Sequence, residues 1–245
     1  AEGLPDLFIA MGQTAENVAE LKGVSREAMD EYGVLSQNKA EAAISRGFFE
    51  MDITPVTMPD GTIVSTDDGP RAGVTLEAVS QLKPAFRPDG RVTAGNACPL
   101  NDGAAAVVVM SRKRAEELGI TPLARIIASS VSALNPEIMG LGPIEAIKRV
   151  LARADMSMSD IDLVEINEAF AAQVIPSADE LGIDMVDQLN VNGGAIALGH
   201  PFGQTGARIM TTLLNGLEDS DKTFGLESMC VGGGQGMAMI VERLK

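Results

Sequence analysis

The sequence predicts an α/β protein with a mixed sheet packed between helix layers. Three observations carry this reading. Beyond residue 103, apolar runs of strand length alternate with helical patterns. The alternation closes in two apolar runs joined by Gly232-Gly233-Gly234-Gln235-Gly236, which reads as a hairpin and adds an antiparallel pair to strands otherwise joined by helices. The first hundred residues keep a different rhythm, helical and then loop-rich.

Residues 15–44 read as an antiparallel helix pair. Thr14 and Ser25 are placed as N-caps, Gly23 and Gly47 as stops, and Ala28, Tyr32, Leu35 and Ala42 share one face. Residues 51–66 alternate toward strand around a Pro59-Asp60-Gly61 turn. Residues 67–103 are broken by Pro70, Pro84, Pro88 and Pro99, with one short helix near 75–82, and look like a substrate-side excursion. The apolar run 104–110 suits a buried strand, and a charged helix over 111–118 ends at Gly119. Strand 125–131 and helix 143–154 follow, the latter with Ile144, Ile147, Leu151 and Ala154 on one face, and then strand 163–166. A helix from 168 should bend or end early at Pro176. Another spans 205–217 with Ile209, Met210, Leu213 and Leu217 inward, before the closing strands 224–229 and 237–241.

Composition narrows the function. Lys and Arg number 19 against 34 Asp and Glu, a net charge of −15, which is the wrong sign for a nucleic-acid or anionic-membrane binder. Seven Phe, one Tyr and no Trp give few platforms for stacking bases. No stretch has the length of an apolar membrane span, and residues 1–20 have no signal-peptide pattern, so a soluble, cytoplasmic protein is expected. Two cysteines and one histidine build neither a disulfide framework nor a multi-histidine metal site, so no metal is expected. Residue 1 is Ala, which points to a natural start further upstream.

Four places hold candidate chemistry. His200 ends a glycine-rich loop just before a helix, held between Gly199 and Pro201. Its imidazole is either a proton carrier at cellular pH or a satisfied structural histidine. Cys230 closes a strand ahead of Gly232, whose neighbourhood exposes backbone N–H groups suited to an oxyanion; the alternative is a small buried hydrophobe. Asn167-Glu168-Ala169-Phe170 follows a strand directly, where Asn167 also fits as a helix cap. Residues 71–91 carry Arg71, Lys83, Arg87 and Arg91 against Glu77 and Asp89. With Phe86, this suits a phosphate-bearing ligand with an aromatic base, or an ordinary solvated loop. Phosphate-loop, dinucleotide and Gly-x-Ser-x-Gly signatures all fail on their required residues.

Three blocks together resemble one family. Asn-Glu-Ala-Phe-Ala-Ala-Gln (167 to 173), Asn-Val-Asn-Gly-Gly-Ala-Ile-Ala-Leu-Gly-His-Pro (190 to 201) and Cys-Val-Gly-Gly-Gly-Gln-Gly (230 to 236) look like the thiolases. Met-Gly-Gln-Thr-Ala-Glu-Asn-Val-Ala (11 to 19) and Thr-Ala-Gly-Asn-Ala-Cys-Pro-Leu-Asn-Asp-Gly (93 to 103) are similar to that family's coenzyme A-binding region and its exit. The resemblance implies the thiolase fold, with a mixed five-stranded sheet and a CoA-binding loop domain. Residues 1–98 would be part of that loop domain, 99–121 the closing segment of the N-terminal half, and 122–245 the C-terminal half.

The activity implied is thiolytic cleavage of a 3-ketoacyl-CoA by CoA, or the reverse condensation, through a cysteine acyl-enzyme, as in fatty-acid breakdown. His200 would activate the nucleophile and, with a water held by Asn167, line one oxyanion hole. Cys230 would be the second acid/base, a task helped by a thiol pKa below about 8.5, and the Gly232 N–H would serve a second oxyanion hole. Arg71, Phe86, Met11, Cys98 and Phe170 would lie on the CoA side, with CoA a substrate and no cofactor needed. At position 98 the family usually has Ser; Cys98 followed by Pro99 alters that contact without abolishing it. The family's acylated cysteine sits in a Cys-x-Ser-Gly-type context that this chain lacks, so a C-terminal part of a thiolase is expected, working as a homodimer or tetramer. A non-catalytic CoA-binding or assembly protein of the same shape is the alternative.

Overall fold

The computed structural model describes residues 5–244. In chain order the elements are α1 Met11–Lys22, α2 Arg26–Ser45, β1 Val56–Thr57, β2 Ile63–Val64, α3 Leu76–Ser80, α4 Arg112–Leu118, β3 Ala124–Ala133, α5 Gly142–Ala154, β4 Leu163–Ile166, α6 Ala171–Leu181, α7 Ala195–Leu198, α8 Thr205–Asp219, β5 Phe224–Val231 and β6 Gln235–Arg243. Residues 1–4 and 245, at the ends of the first and last expected segments, lie outside the described residues.

The main sheet is mixed, with order β3-β6-β5-β4: β4 runs parallel to β5, and the other two pairings are antiparallel. Strand alternation builds its two faces. Val164, Ile166, Leu226, Ala238 and Ile240 pack with Ile147 and Val150 of α5 and with α6. Leu163, Met239 and Val241 pack against Met210, Leu213 and Leu217 of α8. Glycines set the spacing where backbones touch. A Cβ on Gly142 would stand 2.4 Å from the Gln235 carbonyl oxygen, so only glycine lets α5 start against the first residues of β6.

Four strands stand where five were expected. Outside β4 the described residues contribute a single parallel bridge, Val164 to Leu189, because the chain there is held in turns by Asp184, whose Oδ1 accepts from the N–H groups of Val186 and Asp187. Residues 104–110 form no strand; with no neighbouring strand to pair with, Val108 is 84 % exposed.

Smaller corrections have local causes. α1 begins at Met11 with Ala10 as N-cap, because the Thr14 hydroxyl turns back to donate to the Met11 carbonyl at 2.7 Å. Ser25 does cap α2, and Gly23 ends α1 with φ +67°. The two helices pack on α6 and its surroundings more than on each other. α6 runs through Pro176 to Leu181, since Val174 and Ala178 are fully buried on either side and packing outweighs the one lost hydrogen bond.

Candidate active site

The parallel strands β4 and β5 end at the same edge of the sheet, and the candidate residues gather beyond it. The Asn167 N–H donates to the Ser228 carbonyl at 3.0 Å, and Gln173 Nε2 donates to the Asn167 carbonyl at 2.8 Å, so its backbone is pinned. Its side chain is 1 % exposed, yet neither Nδ2 nor Oδ1 has a partner. Leaving a buried polar group unpaired costs about 1–3 kcal/mol. The amide is therefore presented to something beyond these residues, and the helix-cap reading is set aside because the N-cap of α6 is Phe170.

Cys230, at the end of β5, packs with Met139, Ala169 and Phe170. Burial pushes its thiol up to about 12, with Cys98 adding to the effect. The lowered value that would have helped a thiolate role is therefore not found. Cys98 docks alongside: its N–H donates to the Ala169 carbonyl at 3.0 Å, and burial raises its thiol to about 11. Both thiols hold their protons at neutral pH.

Of the CoA-side candidates, Phe86 and Phe170 are in contact. The Phe86 ring meets Phe170 edge-on at 6.0 Å. It also fills the space beside Gly12, where a Cβ would stand 2.2 Å from ring atoms, and so lies next to the half-exposed Met11. Arg71 lies beside Gln37 of α2. Its N–H donates to Gln37 Oε1 at 3.0 Å, and Gln37 in turn donates to the Ile196 carbonyl, which ties the loop to the glycine-rich segment and leaves the Arg71 side chain exposed. The expected basic patch is smaller than it looked. Arg87 bonds Gln13 and Asn17, and Arg91 bonds the Ala19 and Val24 carbonyls, so both clamp the loop onto α1.

His200 follows Gly199, whose φ of +92° few other residues adopt. Its N–H donates to Asn101 Oδ1 at 3.1 Å, its Nδ1 lies 2.7 Å from the Thr205 hydroxyl, and the Phe202 ring stands edge-on at 5.3 Å. Burial and then the Arg208 charge lower its pKa, which favours the neutral base. A cleft of about 610 Å³ opens here, lined by residues 100–103 and 200–203. Residues 98–101 link it to the cysteines: Cys98 is tied beside Cys230, Asn101 is tied to His200, and three residue steps reach at most about 11 Å. At the β5–β6 turn Gly232 is exposed, its N–H has no acceptor among the described residues, and a Cβ there would meet nothing within 4 Å.

One organising residue escaped the sequence reading. The buried Glu168 carboxylate accepts from Tyr32 Oη at 2.8 Å, Ser36 Oγ at 2.6 Å, Asn190 Nδ2 at 2.8 Å and the Ile196 N–H at 3.1 Å. It locks α2 and the glycine-rich loop to the end of β4. The available signal was an acid inside an otherwise apolar stretch after a strand. Among the described residues, no group of three or more His, Cys, Asp or Glu side chains is placed to hold a metal ion, and no helix is long and apolar enough to cross a membrane.

Two family models cover this chain: "Thiolase, N-terminal domain" over residues 2–113 and "Thiolase, C-terminal domain" over residues 120–243. The acetyl-CoA acetyltransferase of Cupriavidus necator is 52 % identical over 99 % of this chain, and the beta-ketoadipyl-CoA thiolase of Acinetobacter baylyi 46 % over 96 %. The chain spans 63 % and 60 % of those two relatives' lengths. The crystal structure of Bacillus anthracis acetyl-CoA acetyltransferase superposes with TM-score 0.93 at 47 % identity, covering 96 % of this chain and 60 % of that one. Human mitochondrial 3-ketoacyl-CoA thiolase in complex with CoA superposes with TM-score 0.91 at 40 % identity, covering 98 % and 61 %. Fold and sequence thus place the chain in an α/β enzyme family with the thiolase fold. It belongs to the thiolase family.

Proposed function

We propose that the protein to which this chain belongs is an acetyl-CoA C-acyltransferase, cleaving a 3-ketoacyl-CoA with CoA to give acetyl-CoA and a shortened acyl-CoA, and running the condensation in reverse. The observation that carries this reading is the unpartnered Asn167 amide, buried at the strand ends close to Cys230. An enolate or thioester oxygen, or a water bound to one, supplies the partner that amide lacks.

In this reading a cysteine outside these 245 residues attacks the 3-keto carbon after losing its proton to His200. The bond between C2 and C3 then breaks, and the acetyl-CoA enolate leaves with its oxygen held by Asn167-bound water and His200. Cys230, protonated at rest, gives its proton to the enolate carbon. The resulting thiolate takes the proton of the incoming CoA thiol, whose sulfur attacks the acyl-enzyme while the Gly232 N–H stabilises the oxyanion; collapse expels the catalytic cysteine thiolate, which recovers its proton from His200. Met11, Phe86, Phe170 and Cys98 line the path of the CoA arm, and Arg71 meets its phosphates. Residues 1–98 act as part of the CoA-binding loop domain, 99–121 close the N-terminal half and 122–245 form the C-terminal half. The bacterial relatives support a cytoplasmic enzyme, and the resemblance supports assembly as a dimer or tetramer.

The test is intact mass spectrometry of the full gene product before and after brief treatment with acetoacetyl-CoA. Gain of one acetyl group on a cysteine supports the reading. CoA binding without any adduct overturns it in favour of a non-catalytic CoA-binding or assembly protein.

A further inference from the structure

The Thr205 hydroxyl has two close partners and one proton. It lies 2.9 Å from the Pro201 carbonyl oxygen and 2.7 Å from His200 Nδ1, and the residue is fully buried. A carbonyl oxygen only accepts, so the hydroxyl proton belongs to that contact; pointing it at Nδ1 instead would leave two oxygens facing each other with no hydrogen between them. With the hydroxyl committed to Pro201, its lone pair faces Nδ1, and a favourable contact there requires Nδ1 to carry hydrogen.

We infer that Thr205 is a positioning residue that fixes His200 as the Nδ1–H tautomer, leaving Nε2 as the nitrogen that takes and returns protons. This assignment builds on the proposed role of His200 as a base.

The surroundings support it. Gly199 and Pro201 set the backbone on either side, the Asn101 contact holds the His200 N–H, and the Phe202 edge restricts the ring. Thr205 opens α8, so its hydroxyl is anchored by a fifteen-residue helix. The contact is also indifferent to the charge of the ring. When Nε2 gains a proton, Nδ1 keeps its own and still donates to Thr205, so proton transfer requires no rearrangement on that side. A free histidine in water prefers the opposite tautomer, which makes the assignment a measurable departure.

The experiment is long-range ¹H–¹⁵N NMR on the full-length protein above the His200 pKa. The His200 ring signals are identified by their loss in His200→Asn. A protonated Nδ1 with an unprotonated Nε2 is expected in the wild type, a shift toward the Nε2–H form in Thr205→Val, and recovery in Thr205→Ser. Kinetics add a second readout. Thr205→Val should lower kcat for thiolysis roughly 10- to 100-fold with little change in KM for CoA, and Thr205→Ser should restore most of it. An Nε2–H tautomer in the wild type, or wild-type ring signals in folded Thr205→Val, overturns the inference. A correct tautomer in a protein that forms no acyl-enzyme would instead overturn the acyltransferase reading and leave the Thr205 assignment standing.

Discussion

Glu165 and Glu227 face each other in register across the parallel ladder of β4 and β5. Strand alternation puts both on the sheet side covered by α8. Burial pushes each carboxyl from its ordinary 4.5 up to about 8, with Arg208 pulling the other way. The folded state therefore holds these protons more tightly than the unfolded chain. Their stabilising contribution is complete below about pH 4.5, declines as pH rises, and is gone above about pH 8. The midpoint of thermal unfolding should fall across this window. The neutral isostere pair Glu165→Gln with Glu227→Gln should flatten the fall and raise the midpoint at pH 8. An unchanged slope in a folded double variant would refute the assignment.

The two proposed proton carriers should separate by step. His200→Ala should abolish acyl-enzyme formation while circular dichroism stays native. Cys230→Ser should still accumulate acyl-enzyme, since in the proposed sequence that residue acts after the first attack, but turnover should fall by at least about 100-fold. Normal turnover by either variant removes the corresponding role.

The pH profile reports the His200 environment. Because burial and Arg208 lower its pKa, the neutral base survives further into acid, and the acid limb of kcat/KM should lie below the usual histidine range. Removing the positive charge in Arg208→Met should move that limb upward. A limb that stays in place would mean that the guanidinium exerts no field on the imidazole.

Arginines that looked alike in sequence should behave differently. Arg71→Ala should raise KM for CoA with little effect on kcat or stability. Arg87→Ala, which breaks contacts to Gln13 and Asn17, should instead lower the unfolding midpoint. Comparing KM and thermal midpoint for the two variants tests this contrast.

Glu168→Gln keeps the shape but replaces one acceptor oxygen with a donor facing hydroxyl or amide groups. It should cost about 1–3 kcal/mol of stability, read from chemical denaturation. A neutral outcome would show that the four donors to Glu168 find other partners.

Local chemistry made much of the fold legible. β4 occupies the predicted residues 163–166, Gly23 and Gly119 end helices in the left-handed conformation, and the glycine-rich hairpin joins β5 to β6. These features depend on near neighbours in the chain, and so did the motif blocks around Asn167, His200 and Cys230. Misreadings came where distant partners decide. The 104–110 run has strand chemistry and no adjacent strand. Arg87 and Arg91 have ligand-binding chemistry but are taken up by α1. Glu168 gains its meaning only from Tyr32 and Ser36, which sequence patterning treats as ordinary positions on α2. The protonated state of Cys230 likewise follows from burial, which strand periodicity alone did not weigh.

The Glu168 carboxylate also bears on how the site forms. Its donors are 136 and 132 residues away on one side and 22 and 28 on the other. No local segment can satisfy it, and contacts of such long range close late and together in folding. The glycine-rich loop that carries His200 thus has no stable, partly assembled form resting on Glu168 alone. This edge of the sheet should appear in a single late step, in the same kinetic phase that completes the core.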